Sequence, residues 1–201
     1  MRIGIFGGTF DPVHFGHLRS VEAAAARFRL ERVIYVPARV SPFKDSVATN
    51  AHHRVAMLAL ALDGRTDWTI DPQELDRKPP SYTVDTLRAL SARHLQDELW
   101  LLMGTDTLAG LARWLEPEEI VRMARIGAFQ REPFTGEGLE IPDIEGLSGR
   151  LEVFDAGSVR ISSRQLRDDM ARGGSASGSV PRSVAEYITK HGLYSAGVRK
   201  R

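Results

Sequence analysis

Apolar and polar positions along this chain fall into two alternating periods. Residues 2–6 (RIGIF), 32–37 (RVIYVP), 68–71 (WTID), 98–104 (ELWLLMG), 125–131 (RIGAFQR) and 151–156 (LEVFDA) are short runs dominated by β-branched, leucine and aromatic side chains. Such runs predict strands. Between them, residues 16–29, 52–63, 82–93, 106–114 and 117–124 place apolar residues at helical spacing, and residues 162–174 and 181–192 close the chain in the same way. These predict helices. Strand–helix alternation predicts an α/β fold, a Rossmann-like doubly wound parallel sheet with helices on both faces, in a single domain with C-terminal helices.

Two stretches interrupt the pattern. Residues 132–149 mix Gly, Pro and acidic side chains, which predicts a surface excursion or a partly ordered segment. Residues 173–181 (GGSASGSVP) are Gly/Ser-rich and predict a flexible join between the last two helices. Strands flank the first and only one helix follows the second, so neither divides the chain. The expected organisation is one domain over residues 1–195 and a basic, disordered tail over 196–201. No internal repeat is present.

Composition narrows the classes. Hydrophobic residues make up 42% and charged residues 26% of 201 residues, ordinary values for a globular chain with a well-buried core. The formal net charge is +1, so the whole-molecule field points to neither nucleic acid nor an anionic membrane. Any phosphate recognition must be local. The absence of cysteine excludes disulfides, thiolate zinc sites and Cys nucleophiles, and fits a reducing compartment. No apolar run reaches membrane-spanning length, and Met1-Arg2 leads directly into a strand, so a cytoplasmic location is expected.

The chemistry begins at residues 7–17, GGTFDPVHFGH. A strand that ends in Gly-Gly and turns into a helix brings backbone N–H groups toward one point above the carboxyl edge of the sheet. Glycine there permits positive φ and close approach of a ligand. His14 and His17, three apart at the helix start, can face that point together with the helix dipole and donate to phosphate oxygens. A capped turn with two surface histidines is the plainer alternative. Metal binding by the pair is another, weakened by the lack of a third ligand at suitable spacing. Further along, Ser162 can cap a helix on which Ser163 and Arg167, four apart, share one side. A hydroxyl and a guanidinium near a helix start suit a triphosphate, although a cap plus a surface arginine is common.

These residues resemble the signature of the nucleotidyltransferase superfamily carrying a T/H-x-G-H motif, here His14-Phe15-Gly16-His17. Within it, the chain is most similar to the bacterial nicotinate-nucleotide adenylyltransferases. The resemblance runs from Arg2 to Tyr194 and includes PARVSPFK (residues 37–44), SYTVDTL (81–87), GTDTLAGLARW (104–114), ISSRQLR (161–167) and VAEYITKHGLY (184–194). It implies attack of the 5′-phosphate of nicotinate mononucleotide on the α-phosphorus of ATP, with pyrophosphate expelled. Both reactants are anions, so the protein's task is alignment and charge stabilisation.

The resemblance also implies a site. His14, His17, Lys44 and Arg167 would be catalytic. ATP would be bound by Gly7, Gly8, Thr9, Phe10, His14, His17, Gly104, Asp106, Ile161, Ser162, Ser163 and Arg167. The nicotinate nucleotide would meet Thr9, Lys44, Tyr82, Thr83, Trp114 and Leu115, with the Trp114 indole stacking on the pyridine ring and backbone N–H groups taking its carboxylate. Arg164, where relatives often carry Thr, is expected to face solvent. Phe43 replaces a histidine common in relatives and removes one phosphate donor. Mg2+ would be held mainly by ATP phosphates and water, since no carboxylate cluster is evident and Asp11, before Pro12, is expected to shape the turn. The partners implied are the two nucleotides, with no nucleic acid and no membrane, and with a homo-oligomer left open. His52, His53, His94 and His191 lack motif context and are expected at the surface. A transferase acting on nicotinamide mononucleotide and a non-catalytic nucleotide-binding module remain alternatives.

Overall fold

The computed structural model describes residues 1–39, 49–130, 139–157 and 161–195. Lys44, Phe43 and the 196–201 tail lie outside them. Among the described residues six strands form one parallel sheet: β1 (Arg2–Gly8), β2 (Arg32–Pro37), β3 (Trp68–Ile70), β4 (Glu98–Gly104), β5 (Arg125–Gln130) and β6 (Leu151–Asp155), in the order β3-β2-β1-β4-β5-β6. Helices α1 (Phe15–Phe28), α2 (Ala51–Ala61), α3 (Gln73–Asp76), α4 (Thr83–Arg93), α5 (Thr105–Leu108), α6 (Pro117–Met123), α7 (Ser163–Ala171) and α8 (Arg182–Lys190) surround it. Chain order reverses between β1 and β4. In open parallel sheets that reversal opens the crevice in which ligands bind.

The strands show why they read as unbroken apolar runs: the sheet is covered on both sides. Alternate residues feed two separate cores. Phe6, Val33, Tyr35, Trp100, Leu102 and Phe129 enter one. Ile3, Ile5, Ile34, Val36, Leu99, Leu101, Met103, Ile126 and Ala128 enter the other. The first core also takes side chains from α1, α2, α7 and α8, and the second from α4 and α6. The two faces therefore present different helices to the carboxyl edge.

Three expectations change. Residues 106–114 do not form one helix: α5 ends at Leu108 and a separate 3-10 turn covers Leu111–Arg113. Gly110, a residue of low helix propensity, stands between the two pieces, and Leu108 and Leu111 on either side of it are both buried in the second core. Residues 173–181 are not a free linker. Ala176 and Val180 are buried, and the Ser179 carbonyl accepts the Phe15 N–H at 2.9 Å, so the segment docks on the start of α1. Within 132–149, Ile144 and Leu147 are buried and anchor the described part on the second core. No helix is long and apolar enough to cross a membrane among the described residues.

Candidate active site

The histidine pair is built by its own helix start. His14 is the N-cap of α1 in extended conformation, and its Nδ1 accepts the His17 N–H at 3.3 Å. His17 Nδ1 in turn accepts the His14 N–H at 3.3 Å, and the rings stack at 3.7 Å. This is a capping box made from two imidazoles. Each Nδ1 is used as an acceptor, which places the proton of the neutral ring on Nε2 and makes that atom a donor. His14 is 1% exposed while His17 is half-buried, so His17 is the more accessible of the two. Gly16 lies between them because a Cβ there would stand 2.9 Å from the His14 ring and 3.4 Å from the Ile161 carbonyl oxygen. That contact also brings the segment before α7 to the pair.

The glycines preceding the pair act differently from expectation. β1 runs through Gly8, and neither Gly7 nor Gly8 has positive φ; the left-handed residue is Phe10, at φ 51°. A left-handed Phe is costly, and it persists because the core overdetermines it. Phe10 is 1% exposed, with its ring 5.3 Å from His17 and 5.7 Å from both Phe6 and Tyr35. Space in front of Gly7 is open, since a Cβ there would meet nothing within 4 Å.

The remainder of the turn is clamped by side chains from distant elements. Ser163 Oγ donates to the Pro12 carbonyl at 3.0 Å and Arg167 Nη1 donates to the Asp11 carbonyl at 2.6 Å. Ser162 caps α7 through a 3.5 Å bond from the Gln165 N–H, and Arg164 is exposed as expected. Asp11 does more than shape the turn. It is 4% exposed, accepts the Thr49 N–H on Oδ2 at 3.1 Å and accepts the Tyr194 hydroxyl on Oδ1 at 2.6 Å. Arg54, missed by sequence reasoning, is 1% exposed and donates from Nε to the Thr49 carbonyl at 2.9 Å and from Nη1 to the Thr9 carbonyl at 2.7 Å. A charged residue in the apolar run of α2 was the available signal.

The residues expected to meet the pyridine half lie on the second core. Trp114 follows the 3-10 turn and, like Tyr82, is half-buried against that core, while Leu115 is exposed. Tyr82 is the N-cap of α4 and no side chain caps that helix. Behind it, Ser81 and Glu74 are buried; Thr86 Oγ1 donates to Glu74 Oε1 at 2.6 Å, and Arg77 lies 3.9 Å from that oxygen. Burial pushes the Glu74 carboxyl above its ordinary range, against the pull of Thr86, Arg77 and Ser81. At the end of β4, the Asp106 carboxylate folds back over Gly104, where any Cβ would collide with it. Among the described residues no group of three or more His, Asp or Glu could hold a metal ion.

Of the remaining histidines, His52 and His191 are exposed, whereas His53 and His94 are half-buried. His53 bonds the Tyr187 hydroxyl at 3.0 Å, and His94 pairs with Asp97 at 3.0 Å. Desolvation and the neighbouring His191 and His52 lower the His53 pKa.

A parallel sheet with its histidine-capped helix at the strand-order reversal defines a nucleotide-binding α/β protein. The sequence profile of the cytidylyltransferase-like family matches residues 5–169, and the chain belongs to that family. It is 37% identical over 195 residues to a probable nicotinate-nucleotide adenylyltransferase of Gemmatimonas aurantiaca, covering 96% of this chain and 92% of that one. It is 40% identical over 195 residues to a protein of the same name from Thermus thermophilus, covering 96% and 100%. Its fold superposes on Plasmodium falciparum nicotinic acid mononucleotide adenylyltransferase complexed with NaAD with a TM-score of 0.75, at 19% identity over 96% of this chain and 97% of that one.

Proposed function

We infer that this chain transfers the adenylyl group of ATP to the 5′-phosphate of nicotinate mononucleotide, releasing pyrophosphate and forming nicotinate adenine dinucleotide. A phosphate oxygen of the mononucleotide forms a bond to the α-phosphorus, and the bond from that phosphorus to the pyrophosphate oxygen breaks. The observation that carries the reading is the reciprocal histidine capping, which fixes Nε2 as a donor on both rings at the start of a 14-residue helix. Donors fixed before the reaction, at a point where negative charge accumulates, are a large source of rate. His17 stabilises that charge, with His14 behind it, and the helix dipole adds to both.

Backbone groups from Gly7 to Phe10 face the nucleotides. Arg167 retains guanidinium donors beyond its bond to Asp11 and, with Ser162, Ser163 and the segment at Ile161, takes ATP phosphates; Lys44 is assigned to the same anions. Asp106 and Gly104 receive the adenosine ribose. Tyr82, Thr83 and Leu115 supply backbone N–H groups to the nicotinate carboxylate, and Trp114 gives the ring a flat surface. Both carboxylate oxygens of Asp11 are already engaged by Thr49 and Tyr194, so Mg2+ accompanies ATP as part of the substrate and no step is assigned to protein-held metal.

Pyrophosphate release measured with ATP plus nicotinate mononucleotide, and separately with the nicotinamide mononucleotide, tests the reading. Turnover with the first and much weaker turnover with the second is expected. Equal turnover removes the carboxylate assignment, and ATP binding without any pyrophosphate release removes the enzymatic one.

A further inference from the structure

The turn that carries the histidines is held by more than the groups assigned to substrates. We propose that Arg54, Asp11 and Tyr194 are positioning residues for adenylyl transfer: they fix the backbone from Thr9 to Pro12 without touching a substrate. The proposal rests on the assignment of that turn and of His17 to the nucleotides.

The geometry is a closed loop of bonds. Arg54 spans two carbonyls, Thr9 at 2.7 Å and Thr49 at 2.9 Å. The Thr49 N–H returns to Asp11 at 3.1 Å, and Asp11 holds the Tyr194 hydroxyl at 2.6 Å. Arg167 grips the Asp11 carbonyl from the other side at 2.6 Å. The bonds join residues 45 and 183 apart in the chain, so they order segments that local structure cannot.

Stability alone gives little reason for this arrangement. A buried guanidinium near a buried carboxylate carries a desolvation cost, and apolar replacements of similar size are often as stable. Burial pulls the Arg54 pKa down while Asp11 pulls it up, and burial beside Asp11 pushes the Tyr194 hydroxyl up, so tyrosine remains a donor. What an apolar replacement cannot do is hold two carbonyls at a set angle. A planar fork does so, and a lysine ammonium does not reproduce it. Tyr194 itself is held at φ 65° just after α8, which places the end of the described chain on the active-site turn.

The test compares wild type, Arg54→Lys and Tyr194→Phe in pyrophosphate release with ATP and nicotinate mononucleotide, with the melting temperature of each. Displacing reacting groups by a fraction of an ångström lowers turnover more than binding. For Arg54→Lys, kcat should fall on the order of tenfold to a hundredfold with both KM values within about threefold. Tyr194→Phe, which removes one hydroxyl, should show the same pattern at roughly fivefold. In Tyr194→Phe the 15N shift of His17 Nε2 should also move, a signature that a purely stabilising contact would not produce.

Folded variants with wild-type kcat overturn the proposal, as do variants that only melt earlier. If Arg54→Lys does not fold, Tyr194→Phe decides alone. A wild-type enzyme that releases no pyrophosphate sinks the functional reading and this proposal together. Active wild type with unaffected variants sinks only the positioning role.

Discussion

The two faces of the sheet reach the same carboxyl edge but hold their site residues by different physics. On the α1 face, the turn from Thr9 to Pro12 is gripped by Arg54, Ser163 and Arg167, and by Tyr194 through Asp11, all from elements far along the chain. These are polar bonds in a buried setting, directional and costly to leave unmade. On the α4 face, Tyr82 and Trp114 rest half-buried on an apolar core, and Leu115 is exposed. Apolar packing fixes where such a side chain lies but tolerates small adjustments. The difference matches the two tasks assigned to them. Phosphoryl chemistry needs donors set within fractions of an ångström, whereas a ring and its carboxylate need a surface and a direction.

Breaking the rigid face at its reactive point should give the largest effect. On the proposed role of His17, His17→Ala removes a donor to the transition state, and such a loss typically costs roughly 3 kcal/mol, on the order of a hundredfold in kcat. The KM for ATP should change far less. A folded His17→Ala enzyme with near-normal kcat would remove that histidine from the mechanism and leave the α1 face without its principal role.

A smaller and differently shaped loss is expected on the other face. Trp114→Ala should raise KM for the mononucleotide severalfold to tens-fold while ATP affinity holds, because the lost ring contact contributes on the order of 1 kcal/mol beyond area burial. The half-buried position sharpens the test. If the indole serves chiefly as core, truncation should instead cost about 3 kcal/mol of stability and lower the melting temperature clearly. An early-melting variant whose folded fraction keeps the normal mononucleotide KM would exclude stacking.

The smallest effect concerns the buried acid behind Tyr82. Burial raises the Glu74 pKa in the folded state above its unfolded value. The folded state thus keeps this proton to higher pH than the unfolded chain does. The stabilisation is fully present below the unfolded pKa and is lost as pH rises through the folded one. Melting temperatures of wild type and Glu74→Gln across pH 4 to 8 should show wild type losing ground to the variant as pH rises. Parallel curves would mean that Glu74 is equally comfortable in both charge states and that the α4 wall carries no such proton.

Much of this was open to a reader of the chain alone. Six apolar runs became six strands because a sheet covered on both faces needs no polar alternation, and run length alone marks each strand. The pairing of His14 with His17 was readable because residues three apart at a helix start must lie close. The left-handed Phe10, the broken helix at Gly110 and the docked Gly/Ser segment were not. The first and the third rest on contacts with residues far away in the chain, Tyr35 for Phe10 and Phe15 for Ser179, which override local propensity.

The same boundary runs through the site. Local pattern determined the fold class and the groups placed on single helix starts, because backbone geometry over a few residues decides those. Tertiary structure alone decided that Arg54 and Tyr194 belong to the turn, and that Asp11 ties Tyr194 to it. A guanidinium at position 54 and a hydroxyl at 194 meet residues 9 and 11 only after the sheet has closed, and no periodicity encodes a contact across that distance.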